Sequence, residues 1–178
     1  MEEADQLYSK GKNAESIPLV EEALRIAEQA FGSEDRMYVR HLMENLAIRY
    51  KEEREYDQSL TLHKRLLSLD EQEYGPWSHP TQWQLDRMAE LYVLQGNYAE
   101  AEPIYERLVE SENRLKTADV MLIRYMMSHV ECLRKLGKSE EADMAEAATE
   151  LGQMKIHLDA AYQTHAIAAR KSLFDYLG

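Results

Sequence analysis

Cysteine is nearly absent. Cys132 is the only one in 178 residues, so no internal disulfide framework exists. Four prolines and seven glycines are too few for a sandwich or barrel built on many turns. Long apolar runs are also missing. The longest stretch, around Met121 to Met127, is broken by Arg124, and no membrane span fits it. No basic patch is found either. Lys and Arg number 21 against 33 Asp and Glu, a net charge of −12, and a phosphate backbone repels such a chain. Nucleic acid is therefore a poor partner, and membrane insertion is not expected. No signal-peptide pattern opens the sequence, so a cytoplasmic location is the default expectation. What is present is 44% apolar and 30% charged, a globular composition. Glu, Leu, Ala, Met, Gln, Lys and Arg dominate it, and these are strong helix formers. The length is that of one domain able to bury a core.

The sequence repeats itself. Gly96-Asn97-Tyr98-Ala99-Glu100-Ala101-Glu102-Pro103-Ile104-Tyr105 has an upstream copy in Arg54-Glu55-Tyr56-Asp57-Gln58-Ser59-Leu60. Further copies start at Gly11 and Gly137, which makes the steps 43, 42 and 41 residues. Small residues keep this phase as Ser16, Ser59, Ala101 and Ala142. A second series runs Ala4, Ala47, Ala89 and Val130, and a bulky one runs Leu7, Tyr50, Tyr92 and Leu133. The pattern predicts two antiparallel helices per repeat. Small residues sit where helices approach closely, and larger ones fill the space beside them. No pair can bury its apolar face alone, so neighbours must stack.

Helical periodicity predicts helices over about Tyr38–Glu53, Tyr56–Tyr74, Pro80–Gln95, Tyr98–Leu115 and Asp119–Leu136. Gly32 and Gly75 suit left-handed C-terminal caps, and Pro80 suits a first turn. Repeat one has a short first helix of about ten residues before Gly11. Excision from a longer array is the expectation there, and an abrupt native start the alternative. Beyond Leu151 the repeat stops. Met144, Ala147, Leu151, Met154, Leu158, Ala161, His165 and Ala168 follow alternating steps of three and four, as in a coiled-coil seam. The expectation is one long helix from about Ser139 to Tyr176, with Gly152 off the stripe. A break near Gly152 and a folded-back cap is the alternative.

Leu46-Ala47 with Tyr50 and Tyr56, and more fully Ala89-x-Leu91-Tyr92 with the Gly96 to Tyr105 segment, resembles the tetratricopeptide repeat (TPR). The step of about 42 residues and the inter-repeat Gly75-Pro76-Trp77-Ser78-His79-Pro80 look like the long-helix variety of kinesin light chains. The resemblance covers about Ala4 to Leu151 and weakens in repeat four, where Ser139 replaces the aromatic residue. It implies an all-α, right-handed superhelical solenoid of helical hairpins. The expected division is an array over 1–152, with repeats 1–32, 33–75, 76–116 and 117–152, and a capping or dimerising helix over 153–178. The resemblance also implies protein or peptide binding on the concave face, no catalysis by the repeats and no cofactor.

In that family the residue before the Leu-Ala pair points into the groove. Here it is Asn45, matched by Arg87 and Ser128. One turn earlier lie His41, Trp83 and Arg124, and one turn later lie Ile48, Glu90 and Glu131. Asn and Arg can hydrogen-bond a peptide, and Trp83 can supply an apolar anchor. The bland alternative is a solvated polar face. The groove mixes Arg87, Arg124 and Lys135 with Glu44, Asp86, Glu90 and Glu131, so a strongly basic groove for acidic cargo is not expected. The net charge favours a basic or neutral partner surface.

The other reactive residues read as structural. His63 shares the phase of Val20 and Tyr105 and is a core position. His79 fits a turn or capping role. His157 and His165 are two ligands where structural zinc needs four, so no metal is expected. Pro18 and Pro103 share a phase and bend their helices locally, and Cys132 reads as a buried thiol. No zinc-protease helix, phosphate loop or nucleophile elbow occurs. The leading expectation is a non-enzymatic scaffold that holds a peptide or partner helix. Self-assembly through the C-terminal helix comes next, followed by a regulatory domain of a larger protein. Enzymatic activity of the chain itself comes last.

Overall fold

The computed structural model describes residues 2–33, 35, 38–115, 119–156 and 160. The helices are α1 (Glu2–Ser9), α2 (Asn13–Phe31), α3 (Tyr38–Glu52), α4 (Tyr56–Tyr74), α5 (His79–Leu94), α6 (Tyr98–Leu115) and α7 (Asp119–Lys135). A further helical stretch, α8, covers 139–156. No strand occurs among the described residues. α8 runs through Gly152 without interruption. The rest of the expected extension to Tyr176, with His157 and His165, lies outside the described residues.

Each first helix leaves by the same turn, and backbone geometry explains the 42-residue phase. Gly11, Arg54, Gly96 and Gly137 all have positive φ, between 62° and 75°. The next residue donates its amide five residues back: Lys12 to Leu7 at 2.9 Å, Glu55 to Tyr50 at 2.8 Å, Asn97 to Tyr92 at 2.8 Å and Lys138 to Leu133 at 3.0 Å. This is a Schellman motif, which satisfies carbonyls the ending helix would leave open. Glycine suits it because it has no Cβ to clash in the left-handed conformation. Arg54 is the exception. α5 starts differently. Ser78 caps it, accepting from the Thr81 amide at 3.4 Å, and Pro80 stands in the first turn. The cap is thus Ser78, and His79 is the first helical residue.

The small residues lie at the crossings. Ala4, Ala47, Ala89, Ser16, Ser59, Ala101 and Ala142 are fully buried. Ser59 donates its hydroxyl to the Ala47 carbonyl at 2.8 Å, which ties α4 to α3 at closest approach. Opposite ends of each hairpin are also joined. Arg40 at the start of α3 pairs with buried Asp70 near the end of α4. One repeat later Gln82 donates to Glu112 at 3.1 Å. These ties show the helices to be antiparallel. Core residues form a chain of local clusters. Val20, Leu24, Val39, Leu42, Leu46 and Leu66 fill one, and Leu85, Ala89, Tyr105, Leu108, Tyr125 and Cys132 fill the next. Leu60, Met88 and Leu91 form a third, which shares Leu67, Tyr92 and Ile104 with the second. Each full burial of such a side chain stabilises by about 1.5–3 kcal/mol. Every hairpin depends on its neighbours, as in a one-dimensional solenoid. Pro18 and Pro103 sit inside α2 and α6 at exposed positions.

Second helices are tied along one side. Arg65 on α4 pairs with Glu28 on α2 at 2.5 Å and donates to the Ser33 carbonyl. Arg107 on α6 repeats this with Glu71 at 2.5 Å and the Pro76 carbonyl at 3.1 Å. The position equivalent to Arg65 and Arg107 in α8 is Ala148, so the ladder of ties ends at α6.

Candidate functional site: the face of the first helices

α3, α5 and α7 present exposed stripes that ion pairs hold side by side. Lys51 on α3 meets Glu90 on α5 at 2.5 Å. Arg124 on α7 meets Asp86 on α5 at 2.9 Å. On α5 the stripe is Trp83, Arg87, Glu90 and Leu94, at helical spacing. Trp83 is 56% exposed, large for the most hydrophobic anchor a surface can offer. The Arg87 guanidinium lies 4.6 Å from its ring centroid, so a cation–π contact fixes the indole.

The groove cations are already partnered. Arg87 donates to Asp86 and to Glu90, both at 3.0 Å. Asp86 is buried and accepts from Arg87 and Arg124 on the same oxygen. With Lys51 on Glu90, three cations and two carboxylates form one continuous network across the face. An incoming acidic group must compete with ligands already in place. The face is therefore a pre-oriented surface whose cations are already partnered, with an aromatic centre.

The remaining expected groove residues divide. His41 is exposed, and its Nε2 lies 3.0 Å from Asn45 Nδ2. Asn45 also donates to the His41 carbonyl at 3.0 Å. Ile48 is exposed beside them. Ser128 turns inward, where it hydrogen-bonds Tyr105. Burial pushes the Tyr105 hydroxyl up to about 12, and the Ser128 bond opposes that shift. Glu131 is exposed and lines a cleft of about 410 Å³ between α7 and α8, with Met127, Arg134, Glu146 and Thr149. Sequence reasoning missed Leu94 and Met127, both exposed, and the bridging role of Lys51. Spacing alone could have found Leu94, which continues the Trp83 stripe by one turn.

His63 is buried and its Nδ1 lies 2.8 Å from Gln84 Oε1. Burial is the main cause that lowers its pKa, which fits a core position. No group of three or more His, Cys, Asp or Glu suited to a metal occurs among the described residues. Nor is any described helix long and apolar enough to cross a membrane.

Tetratricopeptide-repeat family models match residues 84–118 and 7–36. No curated protein matches the sequence significantly. Among solved structures, BtubC (BKLC) from P. vanneervenii is similar, with TM-score 0.72 and 16% identity over 86% of this chain. The chain spans 61% of the BtubC chain. Nearly identical TPR-like repeats of a kinesin light chain candidate from Podosopora anserina align with TM-score 0.70 and 17% identity, covering 85% of this chain and 72% of that one. A glutamine-to-methionine variant of those repeats aligns with TM-score 0.69 and 17% identity, covering 86% and 73%. Repeat arrays of this type are protein-interaction scaffolds, typically without catalytic activity. The chain carries tetratricopeptide repeats at 7–36 and 84–118, and its solenoid has the fold of the kinesin-light-chain-like repeats.

Proposed function

We propose that this chain is a non-enzymatic scaffold that holds a peptide or partner helix on the face of α3, α5 and α7, anchored at Trp83. The carrying observation is the exposed, cation-fixed indole at the centre of that face. Tryptophan is enriched among residues that dominate interface energies, and a side chain already held in place loses little entropy on binding. Leu94 lies further along the same helix, and exposed Ile48 on α3 and Met127 on α7 belong to the neighbouring repeats on either side. Because Arg87, Arg124 and Lys51 already share Asp86 and Glu90 as partners, the favoured ligand is an amphipathic segment with an apolar anchor, not an acidic motif.

The test is peptide selection from a displayed random library on the full chain, followed by titration of the winners. Trp77→Phe leaves Trp83 as the sole tryptophan fluorophore. Selected peptides should carry an aromatic or large aliphatic anchor and shift Trp83 emission. Trp83→Ala should raise Kd at least about tenfold, the size of a modest hot spot. The triple variant Asn45→Ala, Trp83→Ala, Arg87→Glu should abolish binding. Peptides that bind both forms equally would place the site elsewhere. Self-association is a second reading, favoured by Met144, Leu151 and Met154, which stand 74%, 67% and 62% exposed on α8.

A further inference from the structure

α8 reverses the polarity of the three second helices before it. On the sides of α2, α4 and α6 that meet the following repeat, equivalent positions read Val20, His63 and Tyr105, all buried. In α8 the same position is Glu146. A neighbouring position reads Leu24, Leu67 and Val109, then Glu150. The solvent side changes in the opposite sense. Pro18, Thr61 and Pro103 are followed by Met144, and Arg25, Ser68 and Glu110 by Leu151; Met154 takes the place of Glu28 and Glu71, which tie to the next repeat's arginines, and of exposed Asn113. Ala148 replaces the tying arginines there. A helix polar where the next repeat would dock, and apolar where its predecessors meet water, ends the stack and offers its outer side instead.

The spacing of that outer stripe is heptad-like. With Met144 and Leu151 at a positions, Ala147 and Met154 fall at d. Glu150 then falls at g and Lys155 at e. In a parallel two-fold pair, g of one helix faces the following e of the other, so Glu150 meets Lys155 of the second copy twice over. In an antiparallel pair, g faces g and e faces e. Glu150 and Lys155 would then lie on opposite flanks of the seam and could not pair across it. Both residues are exposed, and neither makes an ion pair among the described residues. The same steps continue in the sequence through Leu158 and Ala161.

We propose that α8 pairs in parallel with α8 of a second copy of this chain, through Met144, Ala147, Leu151 and Met154, with Glu150–Lys155 pairs across the seam. This rests on the self-association reading above and specifies its place and orientation. The contact leaves the Trp83 face open, so a dimer presents two scaffold faces to one bivalent partner.

Sedimentation equilibrium of the full chain from about 1 µM to 1 mM tests it, with circular dichroism as the folding control. Wild type should dimerise with a micromolar or weaker constant, since the stripe is short compared with standard interfaces. Leu151→Glu, at an exposed position, should keep the fold and weaken the dimer at least about tenfold by placing a charge in the seam. Lys155→Glu should weaken it several-fold, and adding Glu150→Lys should restore it. Met144→Cys and Leu151→Cys should each cross-link to their own copy on oxidation. An antiparallel pair allows at most one of these, given the short Cα separation a disulfide needs. A monomeric wild type overturns this proposal and self-association together. A dimer indifferent to Leu151→Glu overturns the proposal and leaves self-association through another surface. A seam-dependent dimer without charge-swap rescue overturns the parallel orientation.

Discussion

Arg54 stands where the other three repeats have glycine, and replacing it should stabilise the protein. Its φ is 62°, among glycines at 72°, 75° and 75° in the equivalent turns. A non-glycine residue in this left-handed conformation costs roughly 1–2 kcal/mol. Glycine returns part of that gain through the greater freedom of the unfolded chain, roughly 0.5–1 kcal/mol. Arg54→Gly should therefore gain about 0.5–1 kcal/mol, or about 1–4 °C in Tm for a chain of this length. The turn bonds, Arg54 amide to Lys51 and Glu55 amide to Tyr50, remain available to glycine. Arg54→Ala is the control. It removes the same exposed side chain and charge but keeps the strained backbone, so it should change stability by less than about 0.5 kcal/mol. Urea denaturation measures the three proteins. Hydrogen exchange at Glu55 and Arg54 shows whether the gain is local, which matters because repeat arrays can lose two-state behaviour. If Arg54→Gly is no more stable than wild type, or Arg54→Ala gains as much, backbone strain is not the reason.

Leu108 is fully buried in α6, and Leu108→Ala should cost about 2–5 kcal/mol by denaturant titration; a loss well under that range would mean the crossing collapses onto the gap. His63 is depressed below its ordinary 6.5, chiefly by burial, with Arg87 and Lys51 lowering it further and Gln84 and Glu90 opposing. Its neutral form is the folded form, so its contribution is complete above pH 6.5 and is lost as pH falls through the depressed folded value. Urea midpoints should decline from about pH 7 to about pH 5.5 in wild type and decline less in His63→Gln; parallel profiles would refute this. Burial pushes the Cys132 thiol up to about 11, helped by Glu131 and Glu102. Alkylation at about pH 8 should be slower than for a free thiol by about two orders of magnitude until denaturant is added, and fast native labelling would contradict the burial.

Much of this fold is written locally. The turns at Gly11, Arg54, Gly96 and Gly137 and the small residues at Ser16, Ser59, Ala101 and Ala142 mark each hairpin, because a left-handed cap and a close crossing each tolerate few residue types. For the same reason the ends of α4 and α6 agree with the predicted Tyr56–Tyr74 and Tyr98–Leu115. The exposure of Trp83 and Ile48 was also legible, from helical spacing and the family pattern.

Charge pairing was not. Asp86, Arg87 and Arg124 read from sequence as separate groove residues, yet one buried carboxylate holds both arginines. That depends on which turns of α5 and α7 lie level, a three-dimensional register that periodicity does not specify. Ser128 illustrates the same limit. It occupies the groove phase, but its hydroxyl serves buried Tyr105. For α8 the sequence alone determined that Met144, Leu151 and Met154 share a stripe. Only the tertiary structure decided that this stripe faces solvent while Ala142 and Thr149 are buried, because the side of a helix that meets its neighbours is set by how the preceding hairpins stack.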